Sequence, residues 1–143
     1  MKIYLAGAIT YHELNNELYK AMNWRNEVAQ KLLDLNADIC ENKFDWFDPT
    51  NNYEENLNYS YNSIVLQNKY YLDKCDIMIV NLDKLEHSPG TLFEMFYYYL
   101  NHKPIIAFDE TKLLNQPHVH CSITEWFPDI NNVIKYIKTM YVQ

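Results

Sequence analysis

Residues 75–100 read CDIMIVNLDKLEHSPGTLFEMFYYYL. An apolar run from Ile77 to Leu82 has the composition of a buried strand, and the stretch from Thr91 to Leu100 is apolar apart from one carboxylate, Glu94. Between them, Ser88, Pro89, Gly90 and Thr91 signal a helix start, with Ser88 as cap and Pro89 at the first helical position. The chain has only two glycines: Gly90 lies in this turn, and Gly7 follows a second apolar run, Ile3 to Ala6. Both therefore stand where a strand gives way to a helix. In an open α/β sheet, ligands bind in the crevice outside the carboxyl ends of the strands, where glycine permits tight turns and close approach.

Working outward, Ile3–Ala6 reads as the first strand, and residues 16–35 carry apolar side chains at helical spacing through Leu18, Ala21, Met22, Val28, Ala29 and Leu32. Ala37 to Cys40 is predicted as a short second strand. Glu41 to Asn58, rich in Asn, Asp and aromatics, shows no period and reads as a long loop anchored by Trp46, Phe47 and Tyr53. A helix is predicted over Tyr59–Lys74, a strand over Pro104–Phe108 and a closing helix over Asp129–Tyr141. Alternation of strands and helices at these lengths predicts an α/β fold: one Rossmann-like, flavodoxin-like domain over residues 1–143, with a parallel sheet and helices on both faces.

A chain of 143 residues is long enough to bury roughly two-thirds of its unfolded surface. Its formal net charge of −7 argues against a nucleic-acid polymer as partner, because counterion replacement on phosphates needs a basic surface. No apolar run reaches the length needed to span a bilayer, and MKIYLAGAIT has no long apolar core followed by a cleavage site, so a cytoplasmic protein is expected. Three widely spaced cysteines, Cys40, Cys75 and Cys121, fit neither a zinc motif nor a disulfide framework and are expected to be small buried hydrophobes. His118 and His120 alternate in a way that suits a shared metal, but no third ligand stands at a matching spacing, and no metal is expected.

A carboxylate in the apolar stretch TLFEMFYYYL is predicted to be poorly solvated, which raises its pKa and suits a nucleophile or an acid/base group. A structural Glu paired with a lysine or a tyrosine hydroxyl fits the pattern equally well. An all-round apolar helix also predicts burial on several sides, by the sheet and by a second copy of the chain.

Together, KIYLAGAIT, CDIMIVNLD and SPGTLFEMFYYYLNHKPIIAF, at their mutual spacing, resemble the nucleoside 2-deoxyribosyltransferase family and its relatives, the 2-deoxynucleoside 5′-monophosphate N-hydrolases. The resemblance covers Lys2 to about Phe108. It implies that Glu94 attacks the anomeric carbon of a 2-deoxynucleoside, expels the base and holds the sugar as an ester, until a second base or water takes it. It implies further that Tyr4 orients Glu94, that no cofactor is used, and that the partners are a small nucleoside or nucleotide and a free nucleobase. The pocket, with Gly7, Ala8, Ile9, Ser88 and Gly90, would be completed by Asn115 of a neighbouring copy.

Two positions depart from the family pattern. The family commonly has an Asp at the position of Asn68, placed to protonate the leaving base; an amide can hydrogen-bond a base edge but cannot deliver that proton. Ser88 stands where transferases of free nucleosides carry Asp, and where monophosphate hydrolases carry Ser. With the Gly90 and Thr91 amides it would suit a phosphate, or it is a plain helix cap. The loop Gly7-Ala8-Ile9-Thr10 lacks the arginine of the hydrolases, leaving Thr10 and His12 as weaker substitutes. Gln67 is a further candidate for contact with the base, against a solvated helix face, and Trp46 and Phe47 are candidates to stack on it, against a role as loop anchors. A nucleotide-binding module with little turnover is the alternative from another class. A dinucleotide site is the least favoured reading, because no G-x-G-x-x-G occurs and the chain has only two glycines.

Overall fold

The first strand, β1 (Lys2–Ala6), alternates its side chains so strictly that it sets both halves of the core. Ile3 and Leu5 point to one face of the sheet, and Tyr4 and Ala6 to the other, all at 0–1% exposure. In the computed structural model, which describes residues 1–143, β1 is paired on both sides. Its neighbours are β2 (Asp45–Phe47) and β3 (Ile77–Asn81), and β4 (Ile105–Phe108) and β5 (Glu125–Phe127) continue the sheet. The order is β2-β1-β3-β4-β5, every pair is parallel, and the fold is α/β of the flavodoxin-like type.

Two helices cover one face: α2 (Leu18–Asp38), which follows the short α1 (Thr10–Leu14), and α7 (Ile130–Tyr141). Val28 and Leu32 of α2 and Val133 and Ile137 of α7 close over Ile3, Leu5, Ile79 and Ile106. Against the other face pack α4 (Tyr61–Lys74), α5 (Pro89–Leu100) and α6 (Pro117–Ser122), through Leu72, Met95, Tyr98 and Val119. The short α3 (Tyr53–Asn56) lies between β2 and α4. Several helix starts are set by local chemistry. Ser60 Oγ accepts from the Ser63 amide at 3.2 Å, and the Asp129 carboxylate accepts from the Asn132 amide at 2.9 Å.

Two strands differ from the sequence reading. Ala37–Cys40 is not a strand: α2 continues through Asp38, and Cys40 turns the chain at φ 54°. The second strand lies instead inside the expected loop, at Asp45–Phe47, in register with Lys2–Tyr4. Asn36 makes this geometry specific, because its side-chain amide donates to the Phe44 carbonyl at 2.8 Å and accepts from the Phe44 amide at 2.9 Å. The edge strand β5 was not foreseen. Both edge strands are three residues long, too short for an alternating pattern to emerge. Of the cysteines only Cys75 is buried; Cys40 and Cys121 are exposed. The helix α5 buries one side through Thr91, Met95 and Tyr98, whereas Phe93 and Leu100 stand exposed, so within this chain it is not enclosed on several sides.

The two glycines do different work, and neither needs a left-handed backbone. A Cβ on Gly7 would stand 2.9 Å from Trp24 Cζ2, whereas one on Gly90 would meet nothing within 4 Å. Gly7→Ala is therefore expected to cost about 1–3 kcal/mol through overpacking, read as a lower urea midpoint. Gly90→Ala should leave that midpoint unchanged or raise it, and the reverse ranking would show that close packing does not select Gly7.

Candidate active site

A pocket of about 420 Å³ opens at the carboxyl ends of β1 and β3, a size that suits a small organic ligand. The crossover from β1 to β2 runs to one side and that from β2 to β3 returns past β1, so the loops diverge here and leave a crevice. One wall is the turn after β1, with Gly7, Ile9, Thr10 and Tyr11. Opposite stand Pro49, Tyr53, Asn56 and Leu57 from the segment after β2, and Ile64 and Asn68 from α4. The remaining wall is the start of α5, from His87 to Thr91, with Glu94 on the first turns of the helix.

Glu94 is half-buried, and its Oε2 accepts a hydrogen bond from the Tyr4 hydroxyl. Tyr4 is fully buried, with Phe47 tilted against its ring at 5.4 Å between centroids and Phe47 stacked in turn on Tyr71 at 3.9 Å. The hydroxyl therefore has little freedom to leave the carboxylate. Burial pushes the Glu94 carboxyl up to about 7, against the opposing pull of the Tyr4 hydrogen bond and of the Arg25 charge. Burial and the neighbouring carboxylate likewise hold the Tyr4 phenol well above its ordinary value, so it stays protonated and donates.

The rest of the lining mixes polar side chains with Ile9, Leu57 and Ile64, and contains no lysine or arginine. Asn68 is half-buried on the pocket wall, and its side chain makes no hydrogen bond within the chain. Tyr53 bridges the pocket's upper edge by donating to Glu13 Oε2 at 2.6 Å, and burial first, then Glu13, raises its phenol to about 12. Asn56 donates to Gln67 Oε1 at 3.3 Å, tying α3 to α4. His87 stacks on Tyr11 with ring centroids 4.9 Å apart and planes 15° from parallel. Ser88 does not cap α5 through a backbone amide: its hydroxyl pairs with the Thr91 hydroxyl at 2.6 Å. The first-turn amides of α5 thus have no side-chain cap from Ser88.

The structure brings together Glu94, Tyr4, Asn68, Gly7, Ile9, Ser88 and Gly90, with Ala8 buried just behind the wall. It separates Trp46, which packs on the opposite face of the sheet with the α2 and α7 core, because alternation along β2 turns Phe47 and not Trp46 toward Tyr4. Asn115 is exposed outside the pocket of its own chain, and His118 is paired with Gln116 at 2.8 Å on α6. Gln67 is spent on Asn56, and His12 is buried beside the pocket. No three His, Cys, Asp or Glu side chains lie close enough to share a metal ion. Tyr11, Tyr53, Asn56 and His87 line the site without having been singled out as ligands. Tyr11 and His87 each flank a residue that had been, and Tyr53 had been read only as an anchor.

Residues 3–125 match the family described as nucleoside 2-deoxyribosyltransferase. The chain belongs to that family. None of the curated proteins matches the sequence. The fold is similar to that of a 2-deoxyribosyltransferase from the psychrotolerant bacterium Bacillus psychrosaccharolyticus, with a TM-score of 0.68 over 95% of this chain and 92% of the other, at 22% identity. It is equally similar to a conserved protein from Enterococcus faecalis V583, with a TM-score of 0.69 over 97% and 98% of the two chains, at 14% identity. The chain is therefore a member of an enzyme family that handles nucleosides, and no helix in it is long and apolar enough to cross a membrane.

The position of Glu94 has a consequence for stability. Its pKa is higher folded, at about 7, than its ordinary value of 4.5, so the folded chain holds a proton that the unfolded chain has already released. Stability is undiminished below the lower value and falls as pH rises toward the upper one. Relative to the wild type, Glu94→Gln is expected to gain stability between about pH 5 and about pH 8. Urea midpoints at the two ends check this, and a gap independent of pH would contradict the burial of the carboxyl.

Proposed function

We propose that this protein cleaves the N-glycosidic bond of a 2-deoxynucleoside and transfers the deoxyribosyl group to another nucleobase, with Glu94 as nucleophile. The observation that carries the reading is the Tyr4–Glu94 hydrogen bond at the base of a nucleoside-sized pocket, in a chain of this family. Breaking the bond builds positive charge on the sugar ring. A carboxylate next to the anomeric carbon stabilises that charge and then bonds to the carbon, while the bond's electron pair leaves with the base. The base takes a proton from water, since Asn68 can hydrogen-bond its edge but has no proton to give. A second base then attacks the same carbon, loses its proton to water and releases Glu94.

Tyr4 holds one carboxylate oxygen and leaves the other free to attack. The wall formed by Ile9, Tyr11, Leu57 and Ile64 suits the flat faces of a base, and Asn68 and Asn56 suit its polar edge. Asn115 enters this scheme only through a neighbouring copy of the chain. A second reading, hydrolysis of a nucleoside 5′-monophosphate, is favoured by Ser88 and by the start of α5, where the Gly90 and Thr91 amides would face an anion. The lack of any lysine or arginine on the lining favours the uncharged nucleoside.

Chromatography of the protein incubated with deoxyadenosine or thymidine plus a different free base, beside the matching 5′-monophosphates, separates the readings. A swapped nucleoside is expected, and Glu94→Ala should lower its formation by about 10³-fold or more. Free base released only from the monophosphates would replace the transferase with the hydrolase, and no product from any mixture would leave a binding module. Because Glu94 acts ionised, kcat/KM is expected to rise with pH through about 7. Tyr4→Phe should move that rise to higher pH, because the lost hydrogen bond had favoured the charged form.

A further inference from the structure

Arg25 is the largest fully buried side chain in the molecule, and the reaction as described leaves it without a part. It belongs to α2, on the face of the sheet opposite Glu94, and its guanidinium reaches across the carboxyl end of β1. Nε donates to the Leu5 carbonyl at 3.2 Å, Nη1 to the Ala21 carbonyl at 2.6 Å and Nη2 to the Gly7 carbonyl at 3.0 Å. Asp48 Oδ1 lies 3.6 Å from Nε, and the Trp24 ring lies 4.4 Å from the guanidinium carbon. Asp48 Oδ1 in turn accepts from the Thr50 amide at 2.8 Å and the Thr50 hydroxyl at 2.6 Å.

For α2 to pack on β1, this is a costly device, since a buried ion pair is often no more stabilising than apolar side chains of the same volume. What an apolar side chain cannot do is hold carbonyls in a fixed fork and bring a charge. The fork joins the two turns that wall the pocket, Gly7–Ile9 after β1 and Asp48–Thr50 after β2, to the strand that carries Tyr4. The charge reaches the far side of the sheet end, where both Glu94 and Tyr4 respond to it. The groups acting on or facing Arg25 are Asp48 from the turn after β2, Tyr4 from β1, Glu94 from α5 and His12 from α1.

We propose that Arg25 is a positioning residue of the nucleoside site: from behind the sheet its guanidinium fixes the two turns that wall the pocket and the end of the strand that carries Tyr4, and holds a buried positive charge there. The proposal rests on the reading of Glu94 as the nucleophile, so its test includes a measurement that needs no turnover. That measurement is the titration of the Glu94 carboxyl by carbon-13 NMR in the labelled full-length chain, assigned with Glu94→Gln, alongside kcat and KM.

Arg25→Met is expected to raise the Glu94 midpoint by about one unit, a tenfold change in proton affinity, and to carry the pH dependence of kcat/KM with it. Arg25→Lys keeps the charge but not the fork, so the midpoint stays and KM for the nucleoside rises by about tenfold. Asp48→Asn removes the counter-charge while keeping an acceptor for Thr50, and should lower the midpoint. A folded Arg25→Met whose Glu94 midpoint matches the wild type would overturn the proposal, as would Arg25→Lys with unchanged KM. If Arg25→Met does not fold, an Asp48→Asn midpoint that does not fall overturns it instead. A wild type without turnover sinks the reaction assigned to Glu94 and is read apart from the titration.

Discussion

Everything in the molecule is arranged around one short strand that is hidden on both faces and on both edges. β1 pairs with β2 and β3, gives Ile3 and Leu5 to one half of the core and Tyr4 and Ala6 to the other, and ends at the mouth of the pocket. Since none of its side chains can be shifted by one position without turning the whole set to the wrong face, its register is strongly fixed. That rigidity reaches the pocket through a single atom, the Tyr4 hydroxyl, which meets Glu94 from a strand held on both faces and both edges. The same constraint reaches the turn beyond it: Gly7 lies against the Trp24 ring, and the carbonyls of Leu5 and Gly7 are held by Arg25.

Much of this could be read from the residues, and the limits follow from length. Apolar runs of four or five residues, such as Ile77–Val80 and Pro104–Phe108, announce themselves as strands because both faces are buried and no polar residue interrupts them. β2 and β5 have three residues each, lie at the edges and include Asp45 and Glu125, so nothing in their composition separates them from a loop. Ala37–Cys40 has strand-like composition but ends a helix, because Leu32, Leu35 and Asn36 are all buried and continue the helical period of α2 to Asp38.

The same logic explains the site. The placement of Glu94 could be read because a lone charge in an apolar helix needs a partner, and that of Tyr4 beside it because the family resemblance pairs the two; the pattern alone left a structural and a chemical role for Glu94 equally open. Trp46 lies away from the pocket because the segment read as a loop is a strand, whose alternation sends adjacent side chains to opposite faces and gives Phe47 the position facing Tyr4. Tyr53, Asn56 and His87 depend on how three segments far apart in sequence converge, which no local pattern records. Arg25 reads on paper as an ordinary solvated position of a helix; only the fold shows that it faces carbonyl oxygens rather than water.

A carboxyl with its pKa lifted to about 7 is half protonated near neutrality, which looks like a loss for the nucleophile that the proposed reaction needs. The exchange is favourable for the proposed reaction. A carboxylate that water solvates poorly gains more from a neighbouring positive charge, and the sugar ring provides such a charge only as the glycosidic bond breaks. The interaction is therefore stronger in the transition state than in the ground state, which is the condition for accelerating the chemical step. Tyr4 and Arg25 oppose the burial and keep the ionised fraction from vanishing, and neither neutralises the carboxylate: one is an uncharged hydroxyl donor, and the other is balanced by Asp48. A lysine placed directly on Glu94 would have lowered the pKa further and removed the reason for the sugar's developing charge to be drawn to it. On the proposed reading, the site holds its anion with one neutral donor and one distant cation, and the substrate's developing charge completes the electrostatics.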